Sequence, residues 1–168
     1  MNAAVCNISW ETTGSYIYNG TTQRPTYTYE SNGLAFVPTM TMTKNDVVTT
    51  SSVNVGTYKM TLTSNNSNIT LSGETEKEFT IQKATVTIAW TGEDTFVYDG
   101  RTHVPTYTVT TNNGLDVSSD LSLSIYRNDT LVTSALAVGE YCAKITLSNA
   151  NYELLTTDFT FYIEASVE

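Results

Sequence analysis

Two segments lying 80 residues apart repeat the same order of residues, so whatever this chain folds into must be built twice. Tyr16-Ile17-Tyr18-Asn19-Gly20 is followed by Arg24-Pro25-Thr26-Tyr27-Thr28; Phe96-Val97-Tyr98-Asp99-Gly100 is followed by Val104-Pro105-Thr106-Tyr107-Thr108. Asn-Gly and Asp-Gly supply the positive φ that tight turns require, so each segment reads as a strand, a turn and another strand. The echo continues on both sides. Val5-Cys6-Asn7-Ile8-Ser9-Trp10 answers Thr85-Val86-Thr87-Ile88-Ala89-Trp90, and both alternate in the way of a strand with one buried face.

Further along, the copies diverge but keep their order. Asn32-Gly33-Leu34 and Asn113-Gly114-Leu115 mark a second turn. Pro38–Thr43 and Leu121–Tyr126 alternate and end in polar turns, Lys44-Asn45-Asp46 and Arg127-Asn128-Asp129. Gly56-Thr57-Tyr58 and Gly139-Glu140-Tyr141 open another strand, and Phe79-Thr80-Ile81 pairs with Phe159-Thr160-Phe161. The repeats therefore span 4–83 and 84–168, each with about six or seven short strands and very little helix. The expected core centres on Trp10, Tyr18, Tyr27, Tyr58 and Phe79, with Trp90, Tyr98, Tyr107, Tyr141 and Phe159 as counterparts. The junction Ile81-Gln82-Lys83-Ala84-Thr85 holds no Gly, Pro or Ser tract, which predicts an elongated, semi-rigid pair.

The ordered set of a Trp-ended strand, Tyr-Asp-Gly, Pro-Thr-Tyr, Gly-x-Tyr and Phe-Thr-Ile/Phe resembles bacterial immunoglobulin-like surface repeats with a Tyr-Asp-Gly signature. Tyr98-Asp99-Gly100 carries the signature outright, and Asn19 departs from it while keeping its turn chemistry. The resemblance covers both repeats. It implies tandem stalk and adhesion modules of secreted or wall-anchored proteins, with no catalytic residues to carry over. The fold class expected is thus all-β, two tandem Ig-like β-sandwich domains, with β-grasp-like sheets as the alternative. Met1-Asn2-Ala3-Ala4 has no basic region and no apolar stretch, so no signal peptide is read there. A piece of a longer exported precursor, extracellular or on the cell surface, is the preferred context.

Bulk charge limits the partners. With 17 acidic against 8 basic residues the net charge is −9, which argues against nucleic acid and against docking on anionic membranes. No apolar run approaches the ~20 residues of a membrane helix. The two cysteines, Cys6 and Cys142, belong to different repeats and read as unpaired strand thiols, a bridge between repeats being the lesser reading.

No enzyme constellation emerges: catalytic, cofactor-binding and metal residues are all expected to be none. His103 is the one histidine and matches Gln23, which suggests a tolerant polar surface position. Glu93, Asp94 and Asp99, and Asp116 with Asp120, lack the alternating spacing of a calcium loop and read as solvated turns. An intramolecular isopeptide bond needs a core Lys that the first strands lack; Lys83 lies at the junction. Asn-x-Ser/Thr sequons at Asn7, Asn19, Asn65, Asn68 and Asn128 read as inert. Tyr16, Tyr29, Tyr126 and Tyr162 are the tyrosines least matched between repeats, and a glycan or host-protein surface would draw on them. The ligand itself is unknown from sequence. The primary expectation is a non-enzymatic stalk or spacer with an adhesive role; the alternatives are a glycan- or host-protein-binding module and an accessory domain of a secreted glycan-active enzyme.

Overall fold

The structure is a computed structural model that describes residues 3–11, 13–155 and 158–167. Alternating Thr/Val/Ile/Tyr runs become strands wherever the sequence places them. The chain divides into two compact units, Met1–Lys83 and Ala84–Glu168. The first holds β1 (Ala4–Trp10), β2 (Ser15–Ile17), β3 (Tyr27–Glu30), β4 (Thr39–Lys44), β5 (Val47–Val48), β6 (Gly56–Thr63), β7 (Ile69–Ser72) and β8 (Glu76–Gln82). The second repeats the series as β9 (Ala84–Trp90), β10 (Thr95–Val97), β11 (Tyr107–Thr111), β12 (Leu121–Arg127), β13 (Thr130–Val132), β14 (Gly139–Leu147), β15 (Tyr152–Leu154) and β16 (Asp158–Glu164).

Each unit has one three-stranded and one five-stranded sheet. Their orders are β3-β1-β7 and β2-β8-β6-β4-β5 in the first, and β11-β9-β15 and β10-β16-β14-β12-β13 in the second. The sheets of a unit face one another across a shared core. In the first unit Trp10 and Tyr27, from the three-stranded sheet, pack on Met42, Tyr58, Met60, Phe79 and Ile81 of the five-stranded one. In the second, Trp90 packs likewise on the cluster of Ile125, Tyr141, Ala143, Phe161 and Ile163.

One tyrosine in each unit settles what kind of sandwich this is. The hydroxyl of Tyr58, at the start of β6, donates to the carbonyl of Asn54 four residues upstream (2.6 Å); Tyr141, at the start of β14, donates to Ala137 (2.7 Å). A buried Tyr whose hydroxyl bonds its own backbone just upstream, on a central strand, is the tyrosine corner of immunoglobulin-type sandwiches. A cation covers each ring: Lys44 Nζ and Arg127 Cζ both lie 5.3 Å from the ring centre. Gly56 (φ 156°) and Gly139 (φ 155°) leave room for them, because a Cβ there would fall within 2.6 Å or less of the Lys44 or Arg127 side chain. The fold is two tandem Ig-like sandwiches. A β-grasp needs a helix packed on its sheet, and the only helical piece among the described residues is one 3-10 turn, Ser118–Asp120.

Three details depart from expectation. Each unit has eight strands rather than six or seven: the two-residue β5 is too short to show alternation, and the four-residue β7 adds a further edge strand beside β1; both β5 and β13 are returned by a two-residue turn. Those turns, Asn45-Asp46 and Asn128-Asp129, hold positive φ at both positions (51° and 65°, 51° and 63°), the hairpin geometry whose twist matches the strands. Second, Phe161 and not Phe159 is the counterpart of Phe79. Phe79 pairs with Tyr58 and Phe161 with Tyr141. A two-residue slip keeps a side chain on the same face of a strand, so alternation alone could not separate the two. Phe159 instead stacks on Trp90 at 5.0 Å. Third, Tyr98 is not core: it is 43% exposed at the Asp99-Gly100 turn, whereas Tyr18 packs against the core.

Loss of the corner hydroxyl leaves an exposed carbonyl free to hydrate, so the cost is that of one good internal hydrogen bond. Tyr58→Phe or Tyr141→Phe should lower the stability of its own unit by about 1 kcal/mol in urea unfolding, with the slope unchanged.

Candidate functional site

The Tyr-Asn/Asp-Gly segment does not join neighbouring strands. It carries the chain from the five-stranded sheet (β2, β10) across to the three-stranded sheet (β3, β11). Gly20 (φ 78°) and Gly100 (φ 77°) make the same reversal. The side chain before each glycine holds it. Asn19 Oδ1 accepts from the Thr21 N–H (2.9 Å) and hydroxyl (2.7 Å), and Asp99 Oδ1 accepts from the Arg101 N–H (2.9 Å). Three residues past the glycine, the backbone is caught again: Gln23 N–H donates to Ser52 C=O (3.1 Å), and His103 N–H to Ala135 C=O (3.0 Å). Pro25 and Pro105 then enter the interior buried.

The position shared by Gln23 and His103 is half-buried and tied in both copies, which corrects the reading of it as a tolerant surface site. Gln23 Nε2 donates to Ile17 C=O (2.8 Å), binding the crossing to its own edge strand. His103 Nε2 lies 2.9 Å from Asp99 Oδ1, and its ring stacks on Phe96 at 4.9 Å. The Arg101 N–H above all, and then His103, hold the Asp99 carboxyl below the usual carboxylate range.

The four unmatched tyrosines part company. Tyr16 is core: its ring meets Phe79 edge-on at 6.0 Å, and burial, with the nearby Glu11, pushes its hydroxyl pKa up. Its counterpart is Phe96, since Tyr16 pairs with Ile81 as Phe96 pairs with Ile163. Tyr29 is exposed on β3, and Tyr162 is exposed on β16. Tyr126 lies on β12 with Lys144 Nζ 4.9 Å from its ring centre. It borders a shallow depression of about 330 Å³ shared with Asp129, Glu140, Cys142, Lys144 and Asp158. A smaller one, about 170 Å³, lies at the equivalent place in the first unit, with Thr43 for Tyr126, Thr57 for Glu140 and Lys59 for Cys142. The location repeats while its chemistry does not.

The acidic residues act as turn ligands. Asp116 caps Ser118, whose hydroxyl and N–H lower its pKa, and Asp120 Oδ2 accepts from Asn149 Nδ2 (3.0 Å). Asp94 Oδ1 accepts from the Thr95 hydroxyl (3.2 Å), and Glu93 is exposed beside it. Among the described residues no three His, Cys, Asp or Glu side chains converge as a metal would need. Cys6 is buried and Cys142 half-buried, and both are free thiols. Lys83 is exposed.

No protein-family model and no curated protein matches the chain. Among solved structures it is similar to the three N-terminal domains of the bacteriophage RB49 highly immunogenic outer capsid protein, at 16% identity and a TM-score of 0.41, covering 95% of this chain and 59% of that one. It is also similar to the N-terminal four Ig domains of Dscam1 isoforms 4.44 and 9.44, at 15% and 14% identity and TM-scores of 0.32. This chain spans 46% of each of those. Likeness at this distance carries no argument; the Ig-like assignment rests on the facing sheets and the tyrosine corner.

A lowered carboxylate pKa favours the folded state above the unfolded value, about 3.9, and that increment is lost as pH falls through the folded value. Asp99→Asn should therefore flatten part of the acid limb of the second unit's stability–pH profile while leaving the fold intact, as Asn19 already makes the same turn. A thermal-melt series from neutral to acid pH reads this directly.

Proposed function

We propose that the chain is a load-bearing spacer pair from a longer, exported cell-surface protein, of the Tyr-Asp-Gly repeat kind that its signature resembles. One observation carries the reading. In each unit the first two strands pair in parallel with the last two: β1 with β7 and β2 with β8, β9 with β15 and β10 with β16. Tension applied between the ends of a unit draws such partners past one another along their axes. Their hydrogen bonds are then loaded together, in shear, rather than opened singly as in a peeled hairpin. The clamp is the same in both copies: Thr80 N–H to Gly14 C=O and Tyr18 N–H to Gln82 C=O in one, Tyr162 N–H to Asp94 C=O and Tyr98 N–H to Glu164 C=O in the other, all 2.8–3.0 Å.

The reading is non-enzymatic. The residues that the copies share are occupied with turns, corners and packing, which supports a mechanical role for what is repeated. An adhesive role fits the part that is not repeated. The depression beside Tyr126, with Lys144 and three carboxylates around it, has the mixed aromatic and polar character that suits a glycan or a protein partner. The acidic balance of the chain favours an uncharged or basic partner over nucleic acid.

Single-molecule stretching between the ends tests the mechanical reading. Two separate high-force unfolding events are expected, one per unit. Tyr98→Pro, which deletes one clamp N–H at an exposed position, should lower the force of one event and leave the other unchanged. Unfolding of both units at the low forces of a peeled hairpin would overturn the reading.

A further inference from the structure

The chain contains three Asn-Gly pairs, Asn19-Gly20, Asn32-Gly33 and Asn113-Gly114, and the fold treats them differently. Gly33 N–H donates to Glu30 Oε1 (3.3 Å), and Gly114 N–H to Thr111 C=O (3.5 Å). Asn113 is held at both ends of its carboxamide, Nδ2 donating to the Tyr152 hydroxyl (3.1 Å) and Oδ1 accepting from Leu115 N–H (3.0 Å). Gly20 N–H has no hydrogen-bond partner among the described residues. Beside it, Asn19 is exposed and accepts two hydrogen bonds on Oδ1 from Thr21, at 2.9 and 2.7 Å.

We propose that Asn19 is a self-modification site, at which the exposed turn converts its Asn-Gly into the Asp-Gly found in the second repeat. An Oδ1 that accepts from the N–H two residues on lays the carboxamide alongside the intervening peptide, whose nitrogen belongs to Gly20. The Gly20 nitrogen attacks Asn19 Cγ, forming an N–Cγ bond. The Cγ–Nδ2 bond breaks, and ammonia leaves with the proton from Gly20. Water then opens the five-membered imide, giving aspartate or, at its other carbonyl, isoaspartate. No electrons are exchanged, and the net change replaces NH₂ by OH. The two Thr21 donors point at the oxygen that becomes negative during attack, which is how preorganised donors speed acyl transfer. The glycine presents no side chain against the approach.

The product already has a place in this fold. Asp99 makes the same turn with the same acceptor oxygen, taking the Arg101 N–H at 2.9 Å, and Gly20 and Gly100 differ by one degree in φ. Aspartate at position 19 keeps the Thr21 bonds and adds one negative charge. Isoaspartate lengthens the backbone by one carbon within the crossing and does not match it. The equivalent turn of the second repeat is spared this chemistry, because an ionised carboxylate such as that of Asp99 is a poor electrophile.

The test is peptide mass mapping of the full chain held at mildly alkaline pH, folded and in urea, with fragmentation that separates aspartate from isoaspartate. In the folded protein the gain of about 1 Da is expected at Asn19 severalfold ahead of Asn32 and Asn113, with aspartate retained in the turn. In urea the three sites should converge. Thr21→Val should slow Asn19 severalfold in the folded chain, and Thr21→Ser should restore the rate. Asn19 reacting no faster than the other two when folded would overturn the proposal. So would a lead that persists unchanged in urea, since local sequence and not the turn would then be its cause.

Discussion

A single tyrosine hydroxyl bonded four residues back along its own chain anchors each of these sandwiches, and the packing radiates from it. In the second unit the ring of Tyr141 stacks on Phe161 at 5.4 Å, Phe161 meets Phe96 edge-on at 6.0 Å, and Phe96 stacks on His103 at 4.9 Å. His103 in turn holds Asp99 at 2.9 Å. One contiguous run of rings thus connects the corner on the central strand to the crossing turn at the sheet's edge. The first unit has the same beginning, Tyr58 on Phe79 at 5.2 Å and Phe79 on Tyr16 at 6.0 Å. It ends differently, because Gln23 reaches a backbone carbonyl instead of a ring. Aromatic pairs of this geometry contribute about 0.5–1.5 kcal/mol each beyond area burial, so the run matters to the stability of the edge strand.

Much of this was legible because turns and alternation are local. Asn-Gly and Asp-Gly announced the reversals, and strict alternation on β1 and β9 identified the buried Cys6, Ile8, Val86 and Ile88. Gly-x-Tyr was visible as a repeated phrase, but its hydroxyl bond and its cation lid depend on Lys44 and Arg127, which approach from another strand. Register was lost where the pattern is degenerate. Phe-Thr-Ile and Phe-Thr-Phe look alike at an 80-residue offset, yet the sheet pairs Tyr141 with Phe161 and hands Phe159 to Trp90. Tyr16 looked like a surface candidate only because its partner, Phe96, is a different aromatic. His103 looked loose because Gln23 replaces it; both side chains are in fact tied down, through different atoms.

The comparison of the two copies therefore sorts residues by role. What recurs belongs to the scaffold: the crossing turn, the corner, the buried prolines, the parallel clamp of first strands on last. What differs includes the outer face of the five-stranded sheet, where Thr43, Thr57 and Lys59 give way to Tyr126, Glu140 and Cys142.

The central claim is that the Tyr-Asn/Asp-Gly segment is the fold's crossing turn. Its most direct test is a transplant: replacing Tyr98–His103 by the first repeat's Tyr18-Asn19-Gly20-Thr21-Thr22-Gln23 and following equilibrium unfolding and backbone amide spectra. The account predicts a cooperative second unit with β9, β11 and β16 shifts preserved and stability within about 1–2 kcal/mol of the parent, the loss being the His103–Phe96 stack. Loss of cooperative unfolding in the second unit, or displaced shifts throughout β11 and β16, would contradict it.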